Sequence, residues 1–263
     1  MNEHSYSEVN SKAIDKWAEN GWEWGIPISH EDFLKAKNGQ WRDVPRAALT
    51  PSKPVPVEWF KPFLRNDRLD GVALLGLACG GGQQMPLFAA LGADCTVLDY
   101  SDKQLNSERI VSAREGYGIN IIKADMTKRL PFKDAAFDII FHPVSNCYVE
   151  DVYHVWNECF RVLKKGGVLL AGMDNGLNFL VEDENPILIV NKLPYNPLKD
   201  EALYRRSVES DGSVQFSHTI EEQIGGQLKA GFILTDLYED ADNYGIGAYV
   251  PNFLATRAVK PCK

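Results

Sequence analysis

The feature that most constrains the fold is an apolar run that breaks into glycines at residues 74–82, Leu-Leu-Gly-Leu-Ala-Cys-Gly-Gly-Gly. Such a run is typical of a buried strand that turns sharply into a helix. Glycines let the backbone approach a ligand closely, and the following helix presents free N–H groups. Nineteen positions after Gly80, Asp99 ends a second apolar run, where a carboxylate can accept hydrogen bonds from both hydroxyls of a ribose. The pattern therefore indicates a nucleoside cofactor.

Between residues 71 and 173 the chain alternates strand patterns with helix patterns, which is typical of a parallel sheet covered by helices on both faces. An apolar stripe at helical spacing begins at Val152, and we expect the Gly166-Gly167 pair to end that helix. The predicted strands are 72–78, 94–99, 119–123, 137–141 and 168–173, and the other predicted helices are 83–91 and 101–113.

One more helix and two strands are predicted at the end of the chain. Thr219 and Glu222 form a capping box for a helix that runs to Ala230. The connection between the strands predicted at 232–238 and 249–258 is too short for a helical crossover, which predicts an antiparallel pair. The fold class is therefore α/β, with a Rossmann-like, doubly wound, mostly parallel seven-stranded sheet whose last strand is antiparallel.

Two segments interrupt this alternation. Residues 1–70 are rich in tryptophan and proline, and we expect an N-terminal helical cap segment over a domain formed by residues 71–263. Ser29 is placed to cap one short helix, and another is expected to begin near Val57, after the prolines. The turn-rich residues 174–218 are too long for an ordinary connection, which favours a lid insertion.

Composition narrows the class of protein. The net charge is −8, and no run of Lys and Arg occurs, so we expect no nucleic-acid partner. No apolar run reaches the length of a membrane span, and the start of the chain lacks a signal-peptide pattern. The five cysteines include no C-x-x-C pair, which favours free thiols in a reducing cytoplasm over disulfides or a zinc site. We expect a cytoplasmic monomer or homodimer without a membrane partner.

Several motifs follow one another in order: Leu74–Gly82, Val-Leu-Asp-Tyr-Ser at 97–101, Ala-Asp-Met at 124–126, Leu-Pro-Phe at 130–132, Phe-Asp-Ile-Ile at 137–140 and Leu-Lys-Lys-Gly-Gly at 163–167. This order resembles the class I S-adenosylmethionine-dependent methyltransferases, in particular the small-molecule group that includes the quinone-biosynthesis methyltransferases. The resemblance departs at two positions, because Gly76 replaces the usual strand acid and Ala78 replaces the first loop glycine.

The resemblance implies a set of residues that bind S-adenosylmethionine. The glycine loop, residues 78–82, would hold the methionine carboxylate together with the start of the next helix. Asp99 would bind the ribose, Tyr100 would stack on the adenine, and Asp125 with the backbone of Met126 would read the adenine edge. The plainer interpretations are a packing turn, a solvated strand-end acid and a helix-capping aspartate. The predicted cofactor-binding residues are Ala78, Cys79, Gly80, Gly82, Gln83, Asp99, Tyr100, Asp125, Met126 and His142.

The loop 142–148 follows the fourth predicted strand, and in the resembling enzymes it lies beside the transferred methyl group. Asn146 and Tyr148 are therefore the first candidates for contact with the acceptor. His142 and His218 are the candidate general bases, since histidine titrates near neutral pH. The plainer interpretation is that His142 only covers the cofactor and Asn146 braces the turn. Further substrate candidates are His30 and Trp41, although tryptophans in such segments more often serve packing.

The predicted reaction is an in-line transfer of a methyl group from S-adenosylmethionine to a small-molecule acceptor, without a metal ion. Two alternatives stay open at this point. A nicotinamide-dependent oxidoreductase would need glycine or alanine at position 85, which is Met85. A non-catalytic S-adenosylmethionine-binding module would lack an enclosed acceptor pocket beneath residues 1–70 and 174–218.

Overall fold

The computed structural model describes residues 5–182 and 186–262. Its central sheet has seven strands in the order β3-β2-β1-β4-β5-β9-β8. Neighbouring strands from β1 to β5 are parallel, whereas β9 is antiparallel to both β5 and β8. The predicted fold class is confirmed. The sheet strands are β1 (Ala73–Leu77), β2 (Asp94–Asp99), β3 (Asn120–Lys123), β4 (Phe137–His142), β5 (Leu163–Asp174), β8 (Ile233–Asp240) and β9 (Phe253–Val259), and a small separate hairpin consists of β6 (Val181–Glu182) and β7 (Leu188–Ile189).

Side-chain caps fix the starts of most helices. The Ser29 and Ser101 side chains each accept a hydrogen bond from the backbone N–H three residues later, and Thr219 and Glu222 form the predicted capping box. That last helix begins with a π-helical turn, Glu221–Gly225. The helices are α1 (Tyr6–Glu19), α2 (His30–Lys37), α3 (Gln84–Ala90), α4 (Asp102–Glu115), α5 (Val152–Val162), α6 (Glu201–Asp211) and α7 (Gly226–Ala230).

The prediction that Gly166 and Gly167 end a helix is wrong. Helix α5 already ends at Val162, and the glycines lie within β5. The register against β4 shifts between the pairs Phe137 to Leu163 and Ile139 to Val168, so β5 carries extra residues at this point. Gly166 has a φ of 74°, a conformation that glycine adopts without strain. The glycines therefore permit a bulge.

Three other boundaries differ from the sequence predictions. The helix expected near Val57 is only a 3-10 turn, Val57–Phe60, because Pro62 has no N–H to extend it. Strand β9 begins at Phe253, since the N–H groups of Tyr249 and Val250 still donate to Ile246 of a 3-10 turn at residues 245–248. Helix α6 lies within the segment 174–218, where turns and short apolar stretches were predicted. Its N-terminus is capped by Asp200, whose side chain accepts hydrogen bonds from the backbone of residues 202 and 203.

The tryptophan-rich N-terminal segment contributes to the main hydrophobic core. Trp41 is buried against Phe60, with ring centroids 5.3 Å apart. The chain of rings continues from Phe60 to Phe88 of α3 at 5.5 Å and from Phe88 to Phe141 of β4 at 4.9 Å. Helix α5 covers the opposite face of the sheet and contributes Trp156 to a second core cluster. The N-terminal segment is therefore held to the sheet by buried aromatic packing.

Residues 47–51 cross the sheet so closely that they require a glycine beneath them. A Cβ atom on Gly172 of β5 would lie 2.1 Å from the backbone oxygen of Leu49. The same oxygen accepts a hydrogen bond from the N–H of Val144 at 3.2 Å. This crossing segment is therefore fixed between the ends of β4 and β5.

We expect Gly172→Ala to destabilise the protein by about 2 kcal/mol, because the added methyl group forces two backbones apart. Urea unfolding followed by circular dichroism measures the change. Gly118→Ala is the matched control, because no atom lies within 4 Å of a Cβ built at that position. Equal stability of the two variants would contradict the close approach.

In the described part of the chain, no helix has both the length and the apolar character needed to cross a membrane.

Candidate active site

A cavity of about 320 Å³ lies at the carboxyl edge of the sheet. Its floor is formed by the ends of β1, β2, β4 and β5, the place where open α/β sheets bind ligands. Helix α1 and residues 48–51 also line it. The volume is within the range of small-molecule sites, roughly 300–1,000 Å³.

The Asp99 carboxylate is oriented by the backbone around it. Its Oδ2 accepts a hydrogen bond from the N–H of Gly80 at 3.0 Å, and its Oδ1 accepts one from the N–H of Ser101 at 2.9 Å. Burial raises the pKa of Asp99, although these backbone donors lower it. Two oxygens with fixed positions thus line the cavity at the end of β2, where they can accept from a vicinal diol.

The glycine loop shows why small residues occur there. A Cβ on Gly80 would lie 2.6 Å from the Cβ of Gln104 and 3.0 Å from Oδ2 of Asp99. Ala78 has a φ of 48° and Gly81 has a φ of 100°, so both lie in the left-handed region. The loop therefore passes close to Asp99 and leaves room for a ligand.

The missing strand acid at Gly76 also has a structural reason. A Cβ on Gly76 would lie 2.6 Å from Sδ of Met85 and 3.1 Å from Cβ of Cys79. The first turn of α3 thus occupies the space that a carboxylate at position 76 would need. A ligand amino group in this cavity must find another acceptor.

The end of the cavity next to β3 is lined by the polar residues that follow this strand. Asp125 accepts a hydrogen bond from the N–H of Thr127 at 2.8 Å through Oδ1. Met126 is buried, and Tyr100, which also lines the cavity, has the Lys123 ammonium 5.7 Å from its ring centroid. An aromatic face and a carboxylate in one cavity suit a planar heterocycle with an exocyclic amine.

Comparison with known proteins agrees with this geometry. The family model described as "Methyltransferase domain" matches residues 75–171, from β1 to β5. The uncharacterized methyltransferase YbaJ of Bacillus subtilis strain 168 is 40% identical over 257 residues, which cover 95% of this chain and 97% of that protein. This chain belongs to the class I S-adenosylmethionine-dependent methyltransferases. Its methyl donor is S-adenosylmethionine.

Two further comparisons place this methyltransferase among its relatives. A ubiquinone biosynthesis O-methyltransferase of Sinorhizobium fredii is 30% identical over 108 residues, which cover 41% of this chain and 43% of that protein. The crystal structure of an S-adenosylmethionine-dependent methyltransferase from Mesorhizobium loti has a TM-score of 0.58 at 21% identity, over 75% of this chain and 93% of that chain. The second comparison shows the shared fold.

Most of the sequence-predicted cofactor residues of the methyltransferase meet in one cavity. Gly82 does not line it, because its N–H donates to Oε1 of Glu108 at 2.8 Å and its carbonyl accepts from Ile28 at 2.9 Å. Gly82 therefore joins the loop to α4 and to the N-terminal segment. The predicted residues that line the cavity are Ala78, Cys79, Gly80, Gln83, Asp99, Tyr100, Asp125, Met126 and Tyr148.

The structure does not place His142, Asn146 or His218 in the cavity, which corrects the expectation that they contact cofactor or acceptor. His142 is fully buried, with Nδ1 2.9 Å from the carbonyl of Leu77 and Nε2 2.9 Å from the side-chain oxygen of Asn146. Nε2 of His218 lies 3.1 Å from the backbone oxygen of Asn146. Burial lowers the pKa of both histidines. Both histidines brace the loop after β4 through these contacts, and neither lines the cavity.

His30 and Trp41 are also outside the cavity. His30 is a surface residue at the start of α2, with Nδ1 2.8 Å from a Glu115 carboxylate oxygen. Trp41 is 1% exposed and packs in the core. The first contacts Glu115 at the surface and the second is held by aromatic packing, so neither lines the cavity.

Several cavity residues were not predicted from the sequence. Many of them come from the N-terminal segment, from the end of β5 and from the inserted segment, which are distant from one another in the chain. The only sequence signal for Asp174 was its place at the end of a predicted strand. The polar members from these three segments are Ser7, Asn10, Ser11, Thr50, Asp174, Asn178 and Gln215.

Proposed function

We propose that this enzyme methylates a small-molecule acceptor enclosed in the same cavity as the methyl donor. The observation that carries the proposal is that three segments outside the core of the sheet cover the cavity; we call them the roof. Residues of α1, the crossing segment 47–51 and the insertion 174–218 all line the cavity together with Asp99. Such enclosure suits a small acceptor and keeps water from the reacting groups.

The roof is tied on several sides. The Asn10 side chain both donates to and accepts from the backbone of Val214, at 2.8 and 2.6 Å. The Ser11 hydroxyl donates to the backbone oxygen of Tyr100 at 2.8 Å. The backbone N–H of Phe216 donates to the carbonyl of Cys147 at 2.7 Å. These bonds connect α1 and the insertion, which belong to the roof, to the end of β2 and to the loop after β4.

The side chains that line the cavity are suited to bind and orient ligands rather than to supply strong acid–base chemistry. S-adenosylmethionine supplies an electrophilic methyl group when bound. Asp99 would hold its ribose, and Asp125 with Met126 would hold its adenine. The described cavity lining includes three aspartates, Asp99, Asp125 and Asp174, but no Lys, Arg or His. Catalysis would then come mainly from alignment of the acceptor and exclusion of water.

The alternatives have less support. A nicotinamide-dependent oxidoreductase does not fit a chain that belongs to the methyltransferases. A non-catalytic binding module would not need an enclosed space beyond the cofactor residues. This cavity, however, extends along the edge of the sheet to Asp174 of β5 and Phe253 of β9.

Transfer of labelled methyl groups tests the proposal. The enzyme is incubated with [methyl-³H]S-adenosylmethionine and a cell extract separated into small molecules, protein and RNA, with Asp99→Ala as the control. We expect label in the small-molecule fraction with the wild type and only background with the variant. Label confined to protein or RNA would overturn the proposal, and so would the absence of transfer to every fraction.

A further inference from the structure

We propose that Asp174 selects the acceptor by accepting a hydrogen bond from a hydroxyl or ammonium group on an otherwise apolar body. This inference rests on the proposed function, since it concerns the acceptor end of the same cavity. Asp174 is the last residue of β5, lines the cavity and is 7% exposed.

Position separates Asp174 from the cofactor-binding residues. In the sheet order β2-β1-β4-β5, three inter-strand spacings lie between the end of β2 at Asp99 and the end of β5 at Asp174. At about 4.8 Å per spacing, the two strand ends are about 14 Å apart. A ribose held at Asp99 is therefore remote from Asp174, and the space beside Asp174 remains for a second ligand.

The Asp174 carboxylate is held in place with acceptor capacity left over. Oδ1 accepts from the N–H of Gly176 and Oδ2 accepts from Nδ2 of Asn178, both at 2.5 Å. Asn178 in turn accepts from Asn252 at 2.8 Å, and Asn252 also donates to Asp242 at 3.1 Å. A carboxylate has about four lone-pair positions, so these two donors leave roughly one on each oxygen.

The surroundings explain what kind of group those oxygens would accept. Leu49, Phe179 and Phe253 line the same end of the cavity, which suits an apolar body. No basic side chain occurs among the described lining residues, so an anionic acceptor would find no opposite charge among them, only the three carboxylates and neutral polar groups. Burial of a carboxylate costs free energy unless donors satisfy it. A ligand hydroxyl or ammonium group would supply the missing donor.

The test measures binding of three probes to enzyme saturated with S-adenosylhomocysteine: benzylamine, phenol and toluene. Ligand-observed NMR titrations give the dissociation constants. We expect benzylamine or phenol to bind tighter than toluene, and Asp174→Asn to weaken that donor probe about tenfold or more. Toluene and S-adenosylhomocysteine should stay within about twofold. The probe that loses more shows whether the donor is ammonium or hydroxyl.

Asp242→Asn is the matched control, because Asp242 belongs to the same polar network but does not line the cavity. It should leave probe binding unchanged. Unchanged binding of both donor probes in Asp174→Asn, or no binding of either to the wild type, would overturn the inference. Failure of the wild type to bind S-adenosylhomocysteine would instead overturn the proposed function.

A pH titration of the wild type keeps the inference testable if the variant folds poorly. Burial raises the pKa of Asp174 to about 6, and Asp242 contributes in the same direction, while Gly176 and Asn178 lower it. Among the described residues, the Cys147 thiol also interacts electrostatically with Asp174. Benzylamine stays cationic below neutral pH, so its binding should weaken about tenfold from pH 7.5 to pH 5 as Asp174 is protonated. The same titration with phenol, which stays neutral in this range, covers a hydroxyl donor, and flat profiles for both probes would contradict the inference.

Discussion

Replacing Asp99 with alanine is expected to weaken binding of S-adenosylhomocysteine about a hundredfold or more, because hydrogen bonds to a charged group contribute roughly 1.5–3 kcal/mol each. The carboxylate is held by the N–H groups of Gly80 and Ser101, so its oxygens are already oriented before a ribose arrives. Isothermal titration calorimetry measures the affinity. Asp99→Asn keeps the shape but loses the charge, and it should have an intermediate affinity.

Asp94→Ala is the matched control for this experiment. Asp94 begins the same strand, β2, but it is exposed at the end opposite to the cavity. Its removal should leave the affinity within about twofold. If Asp94→Ala and Asp99→Ala bind S-adenosylhomocysteine equally well, the assignment of Asp99 to the ribose is wrong. A thermal melt of both variants separates lost binding from lost folding.

The cofactor half of the site was predictable because its signals are local. Gly80 and Asp99 stand at the ends of adjacent strands, and in a parallel sheet these ends meet at one edge. The contact that joins them, from the Gly80 N–H to the Asp99 carboxylate, follows from strand order alone. Sequence spacing therefore contains most of the information about this half.

The half of the cavity that we propose holds the acceptor was not predictable in the same way. Leu49 and Asp174 are 125 positions apart (174 minus 49) and reach one cavity only because the crossing segment packs on Gly172. His142 was expected in a loop beside the ligand, but β4 continues one residue further than predicted and the ring is buried. Tertiary packing decides which polar side chains line the cavity, and the type of a residue alone does not reveal how it packs.

Glu108 is expected to make the stability of the enzyme fall as pH rises through neutrality. This glutamate of α4 is 0% exposed, and its Oε1 accepts from the Gly82 N–H while Oε2 has no hydrogen-bond partner. Burial raises its pKa from 4.5 to about 8, and the Asp99 charge adds to the increase although the Gly82 N–H opposes it. The folded protein therefore keeps a proton on Glu108 that the unfolded chain releases.

The sign follows from proton counting. Between the unfolded pKa and about 8 the folded state binds more protons, so the free energy of unfolding decreases as pH rises, by up to about 1.4 kcal/mol per pH unit. Relative to Glu108→Gln, the wild type should lose on the order of 3 kcal/mol between pH 5 and pH 8. Urea unfolding of both proteins at several pH values measures this difference.

Glu115→Gln is the control, because Glu115 lies on the same helix and shifts in the other direction. Burial raises its pKa, but Arg114 and His30 outweigh this and hold the pKa below the ordinary value. Its titration is therefore largely complete below pH 5. Between pH 5 and pH 8 the free energy of unfolding of Glu115→Gln should change with pH in the same way as that of the wild type. A parallel curve for Glu108→Gln as well would show that Glu108 is already ionised in the folded enzyme. Gly82 of the glycine loop would then donate its N–H to a buried, charged Glu108 carboxylate that has no other described hydrogen-bond donor.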